Sequence, residues 1–287
     1  MESLADALRN AASTLADAGV PSPRTDAELL AAHLLGESVG RVRALALIGA
    51  DAPARYDELV AERSRRVPLQ HITGVAHFRA LDLAVGPGVF IPRPETESVA
   101  QLAIDAARVV PGARVADLGT GSGAIAGSIA QEVPDATVFA VELSDLAYAW
   151  AERNLAALPV TLVKGDYAKA LGEHDGTFDV VVSNPPYIPT EAVPRDPEVA
   201  EHDPEIALYG GSADGLRLPL AAADAAARLL KPRGYFVMEH AEVQAAALSR
   251  ILGANPSWTS VRTHQDLTGR DRATSAVRTD VPWAGSK

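Results

Sequence analysis

A chain of 287 residues with 47% hydrophobic and 22% charged side chains has the makeup of a soluble globular protein with a sizeable core, long enough for a full domain and a smaller companion. Its formal net charge of −11 gives no overall pull toward nucleic acid or anionic membrane, and the lack of cysteine excludes disulfides, thiolate nucleophiles and Cys-ligated zinc. Glu2, Asp6, Arg9 and Asp17 leave no apolar stretch for a signal peptide, and no apolar run is long enough to span a bilayer, so a cytoplasmic location is expected.

Residues 1–67 read as helices only. Leu4, Leu8 and Leu15 with interleaved alanines form a helical stripe that stops at Gly19 and Pro21. Thr25 followed by Glu28 has the spacing of a capping box, opening a helix that ends near Gly36. Pro53 suits a first helical turn leading into Tyr56, Leu59 and Val60. Arg63, Arg65 and Arg66 form the densest basic cluster. Such clusters are mostly solvated helix ends, and the alternative is contact with acidic groups of a partner. Residues 68–95 change texture: short β-like runs from His77 to Val85, broken by Gly74, Gly86, Pro87 and Gly88, predict a hairpin that links two domains.

Over residues 96–287 helical and strand patterns alternate. Strands are predicted at Arg114–Leu118, Thr137–Leu143, Val160–Lys164, Phe178–Ser183 and Tyr235–His240, with helices at Ala124–Val133, Ser144–Leu158 and Leu216–Leu230 between them. Uninterrupted apolar runs such as Val180–Val182 suit a parallel sheet covered by helices on both faces, an α/β fold. Trp258–His264 and Ala273–Asp280 lack an intervening helix and predict an antiparallel pair, and the residues after Pro282 read as a loose tail. Glu191–Glu201 reads as an irregular acidic loop.

Four segments carry chemistry. Asp117-Leu-Gly119-Thr120-Gly121-Ser122-Gly123 lies at a strand-to-helix junction, where glycines permit a tight turn and close approach of a ligand to the main chain. Glu142 ends the next strand, placed to accept both ribose hydroxyls of an adenosine ligand. Both features serve NAD as well as S-adenosylmethionine. After the third strand, Asp166 could reach an adenine amino group and Tyr167 could stack on the ring, although a turn aspartate is an equal reading. Asn184-Pro185-Pro186-Tyr187 follows the fourth strand, where the strand order of such sheets reverses. The Asn184 oxygen and the Pro185 carbonyl can each accept one N–H of a planar amino group, the two prolines stiffen the backbone, and Tyr187 can close over the flat group. Hydride transfer has no use for this device, so NAD falls to second place.

The glycine segment together with Asn184–Tyr187 resembles class I, Rossmann-like S-adenosylmethionine methyltransferases acting on planar nitrogens, a class that spans N6-adenine, guanine N2 and protein glutamine enzymes. The stretches Pro68-Leu-Gln-His71-Ile-Thr-Gly74, Phe90-Ile-Pro-Arg93-Pro-Glu-Thr-Glu97, Asp203-Pro-Glu-Ile-Ala-Leu208, Gly210-Gly211 and Asp214-Gly215-Leu216 are similar to the HemK/PrmC family of release-factor glutamine N5-methyltransferases. The resemblance implies a helical substrate-recognition domain (1–67), a β-hairpin linker (68–95) and a methyltransferase domain (96–287). It also implies S-adenosylmethionine as methyl donor, and as target the glutamine of a Gly-Gly-Gln loop in peptide chain release factors. Phe90 and Arg93 join Asn184, Pro185, Pro186 and Tyr187 as expected substrate contacts, and Asn184, Pro185 and Tyr187 are the expected catalytic residues. Asp117, Gly119, Thr120, Gly121, Ser122, Gly123, Glu142, Asp166, Tyr167 and Asn184 are expected around the donor.

The runner-up is a nucleic-acid base methyltransferase, which would want a basic groove. Residues 1–75 hold 8 Arg, no Lys and 10 acids, so no direct nucleic-acid contact is expected, and no membrane contact. A non-catalytic nucleotide sensor would not need the intact Asn-Pro-Pro-Tyr. The seven histidines lack metal-ligand spacing and no metal is expected. Glu239 and His240, at the end of the fifth strand, could line the pocket or simply pack.

Overall fold

The computed structural model describes residues 2–283; residues 284–287, most of the expected tail, lie outside the described residues. Two compact units are present: one runs to Val75 and includes Pro194–His202, and the other comprises Ala76–Val193 and the chain from Asp203 onward.

The first unit is helical, with α1 (Leu4–Asp17), α2 (Pro23–Leu35), α3 (Val39–Leu47), α4 (Tyr56–Ser64) and the short α5 (Leu69–Thr73). The stripe Leu4, Ala7, Ala11 and Leu15 packs on Ala27, Leu30 and Ala31 of α2 and on Tyr56, Leu59 and Val60 of α4. The Tyr56 hydroxyl, sunk in this core, donates to the Ala27 carbonyl at 2.8 Å. Two expected helix starts are corrected. Helix α2 begins at Pro23, because a proline there lacks the N–H that would go unsatisfied. Thr25 therefore lies inside the helix, and Glu28, instead of capping, is buried between Arg24 and Arg43. Pro53 sits in a turn, and α4 starts three residues later because Arg55 takes a left-handed φ of 66° that no helix can continue through.

The basic cluster is also corrected. The Arg63 side chain is 4% exposed and donates to Asp26 at 2.7 Å, to Glu198 at 2.8 Å and to the Val67 carbonyl at 3.1 Å. Arg66 reaches Glu198 at 3.0 Å and Asp196 at 3.2 Å. Two of these three arginines are thus spent on the segment expected to be an irregular loop, part of which is helical (Pro197–His202, α9 below) and belongs to this unit.

In the second unit β1 (Val75–Phe78) and β2 (Leu81–Ala84) form a hairpin, followed by α6 (Thr96–Arg108), β3 (Arg114–Leu118), α7 (Ala124–Glu132), β4 (Thr137–Glu142), α8 (Asp145–Leu155), β5 (Val160–Lys164) and β6 (Phe178–Ser183). After α9 (Pro197–His202) come α10 (Glu205–Leu208), α11 (Arg217–Leu229), β7 (Leu230–Glu239), α12 (Ala245–Ala254), β8 (Trp258–Gln265) and β9 (Asp271–Arg278). The hairpin is fastened to the sheet unit: Asn154 of α8 bonds both the amide and the carbonyl of Ala84, and Arg79 reaches Glu132 of α7.

Seven strands form one sheet in the order β5-β4-β3-β6-β7-β9-β8. The first five are parallel, β9 runs antiparallel to β7, and β8 runs antiparallel to β9, which returns it to the direction of the first five. Alternate strand residues feed opposite faces. Val115, Val138, Val180 and Val182 pack under α6, α7 and α8, while Leu118, Val141, Val181 and Phe236 pack under α11 and α12. This two-sided burial is why the strands read as continuous apolar runs. Strand β7 starts five residues before its expected position, and the register with β6 slips between Phe178 and Val180. Among the described residues, no helix is long and apolar enough to cross a membrane.

Candidate active site

The sheet reverses its strand order between β3 and β6, and there Leu118 pairs with Ser183. The Ser183 hydroxyl donates to the Leu118 carbonyl at 2.6 Å, so the glycine segment and the Asn-Pro-Pro-Tyr segment leave the sheet side by side at its carboxyl edge. Ligands of open α/β sheets bind at this kind of crossover.

Along the glycine segment, Gly119, Gly121 and Gly123 hold φ of 77°, 59° and 87°, which side chains with a Cβ seldom adopt. Asp117 is fully buried. Its Oδ2 accepts from the Thr120 hydroxyl at 2.6 Å and from the Ala126 amide at 3.1 Å, whereas its buried Oδ1 meets no donor among the described residues. Burial pushes this carboxyl up to about 7, against the opposing effect of the Thr120 bond. Such a half-satisfied carboxylate favours a cationic donor from a ligand.

Glu142 ties the next strand to the same loop, its Oε2 accepting from Gly121 N and its Oε1 from Ser144 N, both at 2.8 Å. Burial raises its pKa while these two amides act the other way. Each oxygen keeps a second lone pair, so the carboxylate can still accept a hydroxyl at each. Ser122 is buried behind the loop, its carbonyl held by Asn154 at 2.9 Å. Asp166 is exposed and accepts from Ala168 N at 2.9 Å, the turn arrangement that was one of its two readings. The Tyr167 ring lies beside Gly119, with its hydroxyl donating to the Leu218 carbonyl at 3.1 Å; burial raises its pKa.

Asn184 is half-buried and donates from Nδ2 to the Thr96 hydroxyl oxygen at 3.3 Å. Thr96 donates to Glu239 Oε2 at 2.7 Å, and the Tyr187 hydroxyl donates to Glu239 Oε1 at 3.1 Å. Burial raises the pKa of Tyr187 and brings that of Glu239 to about 7. His240, by contrast, turns away to Thr274 at 2.8 Å and packs.

The backbone beyond Asn184 is braced by segments that sequence reading connected only through resemblance. Ile188 N donates to the Leu208 carbonyl, and Gly210 N donates to that of Ile188, both at 2.8 Å. Gln244 Nε2 holds the Tyr187 carbonyl at 2.8 Å and the Asp214 carbonyl at 2.9 Å. Gly215, at φ 73°, packs so closely on the Tyr187 carbonyl that a Cβ would have no room. Pro185 is buried and Pro186 half-buried in this braced turn. Phe90 and Arg93 come together with Asp203: the guanidinium lies 5.0 Å from the Phe90 ring centroid and donates to Asp203 Oδ2 at 2.6 Å.

Thr96 and Gln244 are the polar groups that sequence reading did not place in the site, and Glu239 was open between lining the pocket and packing. One signal was available: Glu239 ends the apolar run Phe236-Val-Met238, where a charged residue needs a partner.

Residues 6–74 match the PrmC N-terminal domain, and residues 80–196 match the methyltransferase small domain. The chain is 51% identical over 265 residues to the release factor glutamine methyltransferase of Streptomyces coelicolor, covering 91% of this chain and 93% of that protein. It is 45% identical over 280 residues to the protein of the same name from Mycolicibacterium smegmatis, covering 97% and 99%. A crystallised methyltransferase from Pyrococcus furiosus, 20% identical, superposes with a TM-score of 0.51 over 71% of this chain and 91% of that one, a likeness of fold. With such identity along nearly the full length of its relatives, this chain belongs to the release factor glutamine methyltransferase family.

Proposed function

We propose that this protein transfers a methyl group from S-adenosylmethionine to the side-chain amide nitrogen of the glutamine in the Gly-Gly-Gln loop of peptide chain release factors. The observation that carries the reading is the pairing of Leu118 with Ser183, which delivers the donor-type loop and the Asn184–Tyr187 turn side by side to one edge of the sheet.

The residues present fit that donor. Asp117 Oδ1 suits an ammonium, Glu142 suits ribose hydroxyls, and the glycine backbone leaves room for close approach. Tyr167 beside Gly119 offers a ring face for the adenine. When bound, the donor supplies an electrophilic methyl group on sulfonium. Asn184 Oδ1 and the Pro185 carbonyl would each accept an N–H of the target amide and stabilise the positive charge its nitrogen gains as an N–C bond replaces the S–C bond, the sulfonium leaving as a neutral thioether and the surplus N–H proton passing to solvent afterwards. Holding the nitrogen in line is an orientation effect that can supply several powers of ten. The helical unit, distinct in composition and packing, is assigned to recognition of the protein partner.

Labelled methyl transfer to purified release factor, naked DNA and rRNA, run with wild type and Asn184→Ala, tests the reading. Release factor should be labelled, and Asn184→Ala should lose on the order of 10²–10³ in kcat. Labelling of DNA or rRNA instead would overturn it in favour of base methylation.

A further inference from the structure

An asparagine amide has an acceptor end and a donor end of nearly equal shape, and only the acceptor end suits a substrate N–H. Something must therefore choose between two orientations of Asn184 that differ by a half-turn. Proton inventory in the adjoining network makes that choice. Thr96 has one hydroxyl proton, and at 2.7 Å that proton is committed to Glu239 Oε2. An ionised Glu239 only accepts, and its other oxygen takes the Tyr187 hydroxyl. The Thr96 oxygen is then left as an acceptor, which only the NH2 end of Asn184 can meet.

We infer that Glu239 and Thr96 are positioning residues that fix the Asn184 side-chain amide with its oxygen toward the substrate, and that protonating Glu239 releases this constraint. The inference rests on the methyl-acceptor role proposed above for Asn184. A protonated Glu239 can donate to the Thr96 oxygen, which frees the Thr96 proton to bond Asn184 Oδ1. The amide can then turn over and present N–H groups to N–H groups.

The groups facing Glu239 are Thr96 and Glu95 at the start of α6, Tyr187 after β6 and Arg272 on β9. Glu95 raises its pKa and Arg272 lowers it, and burial outweighs both. The carboxyl is 1% exposed, so no solvent competes for either of its bonds.

The test combines kinetics with a readout that does not need catalysis. Single-turnover methylation of release factor is measured at saturating donor from pH 5.5 to 8.5 for wild type, Thr96→Val, Thr96→Ser and Glu239→Gln. Donor affinity is measured in parallel by calorimetry. The 15N–1H signals of the Asn184 side chain, assigned by their loss in Asn184→Asp, are followed over the same pH range. Thr96→Val keeps shape but lacks the hydroxyl. It should lose about 10- to 100-fold in rate, one hydrogen bond and one orientation, with donor affinity within about twofold. Thr96→Ser should recover most of that loss. Wild-type rate and the Asn184 amide signals should both titrate near neutral pH, with the rate falling on the acid side, and neither should titrate in Glu239→Gln.

Thr96→Val retaining a wild-type rate, or Asn184 signals indifferent to pH in the wild type, would overturn the inference while leaving the proposed function intact. Failure of wild type to methylate release factor would instead remove the proposed function, with the amide signals still reporting whether the network orients Asn184.

Discussion

Replacing Arg63 by methionine should destabilise the helical unit far more than loss of a surface charge would. Methionine keeps the packing of the arginine's aliphatic stem and removes the guanidinium, and with it the bonds to Asp26, Glu198 and the Val67 carbonyl. Glu198 keeps Arg66 at 3.0 Å, which leaves Asp26 as the group stripped of its cation. Deleting one member of a buried pair costs about 3–5 kcal/mol, and the surviving Arg66 contact places this case near 3. A unit of this size moves its melting point by about 4–8 °C per kcal/mol, so a drop of roughly 12–24 °C is expected in the lowest thermal transition. Scanning calorimetry with circular dichroism at 222 nm reads it directly. The double variant Arg63→Met with Asp26→Leu should regain part of the loss, because an apolar pair can replace a buried ion pair at little cost. A drop below about 3 °C for Arg63→Met alone would refute the buried-pair argument and return Arg63 to the solvated helix end its sequence suggests.

Two further outcomes concern the donor. Glu142→Ala should weaken S-adenosylmethionine binding by about 1–3 kcal/mol in calorimetry, since bonds to a charged acceptor are lost; unchanged affinity would remove Glu142 from the donor site. Asp117, raised to about 7, becomes more ionised as pH climbs through neutrality, so donor affinity should increase between about pH 6 and 8. In the free protein the same group acts oppositely, with stability lost as pH rises from its ordinary range near 4 through 7. Asp117→Asn should flatten both profiles, and an affinity that still climbs with pH in that variant would clear Asp117 of the effect.

Four of the five parallel strands, β3 to β6, were legible almost to the residue because runs such as Val138–Val141 are apolar on both faces, whereas β7 begins five residues before its apolar run. Helix starts were harder. At Thr25 and Glu28 a correct local spacing lost to a proline two residues earlier, and Glu28 was drawn into a pairing with Arg43, fifteen positions on. The site was read through residues whose chemistry is local: glycines in a turn, an acid at a strand end, Asn-Pro-Pro-Tyr. What escaped was long-range. Glu239 meets Thr96 across 143 positions and Gln244 meets Tyr187 across 57, and no window of sequence shows a carboxylate who its partner is. The arginine cluster misled for the same reason, its partner Glu198 being 135 residues away.

The chain passes from one unit to the other three times, after Val75, after Val193 and after His202. The helical unit is therefore a split fold, completed by a nine-residue segment that the chain supplies 118 positions after leaving it. Expressing only the first 75 residues would leave Arg63 and Arg66 facing a gap where Glu198 and Asp196 belong. Starting the protein at residue 76 would strand those acids in turn. A truncation meant to ask what the helical unit contributes would thus also untie the loop seven residues beyond Tyr187, and loss of methylation in such a fragment would report on both. Point substitutions on exposed helical positions separate the two questions. For the same reason, insertions between Tyr187 and Asp203 must satisfy two folds at once, which makes that stretch a poor place for the length variation that surface loops usually absorb.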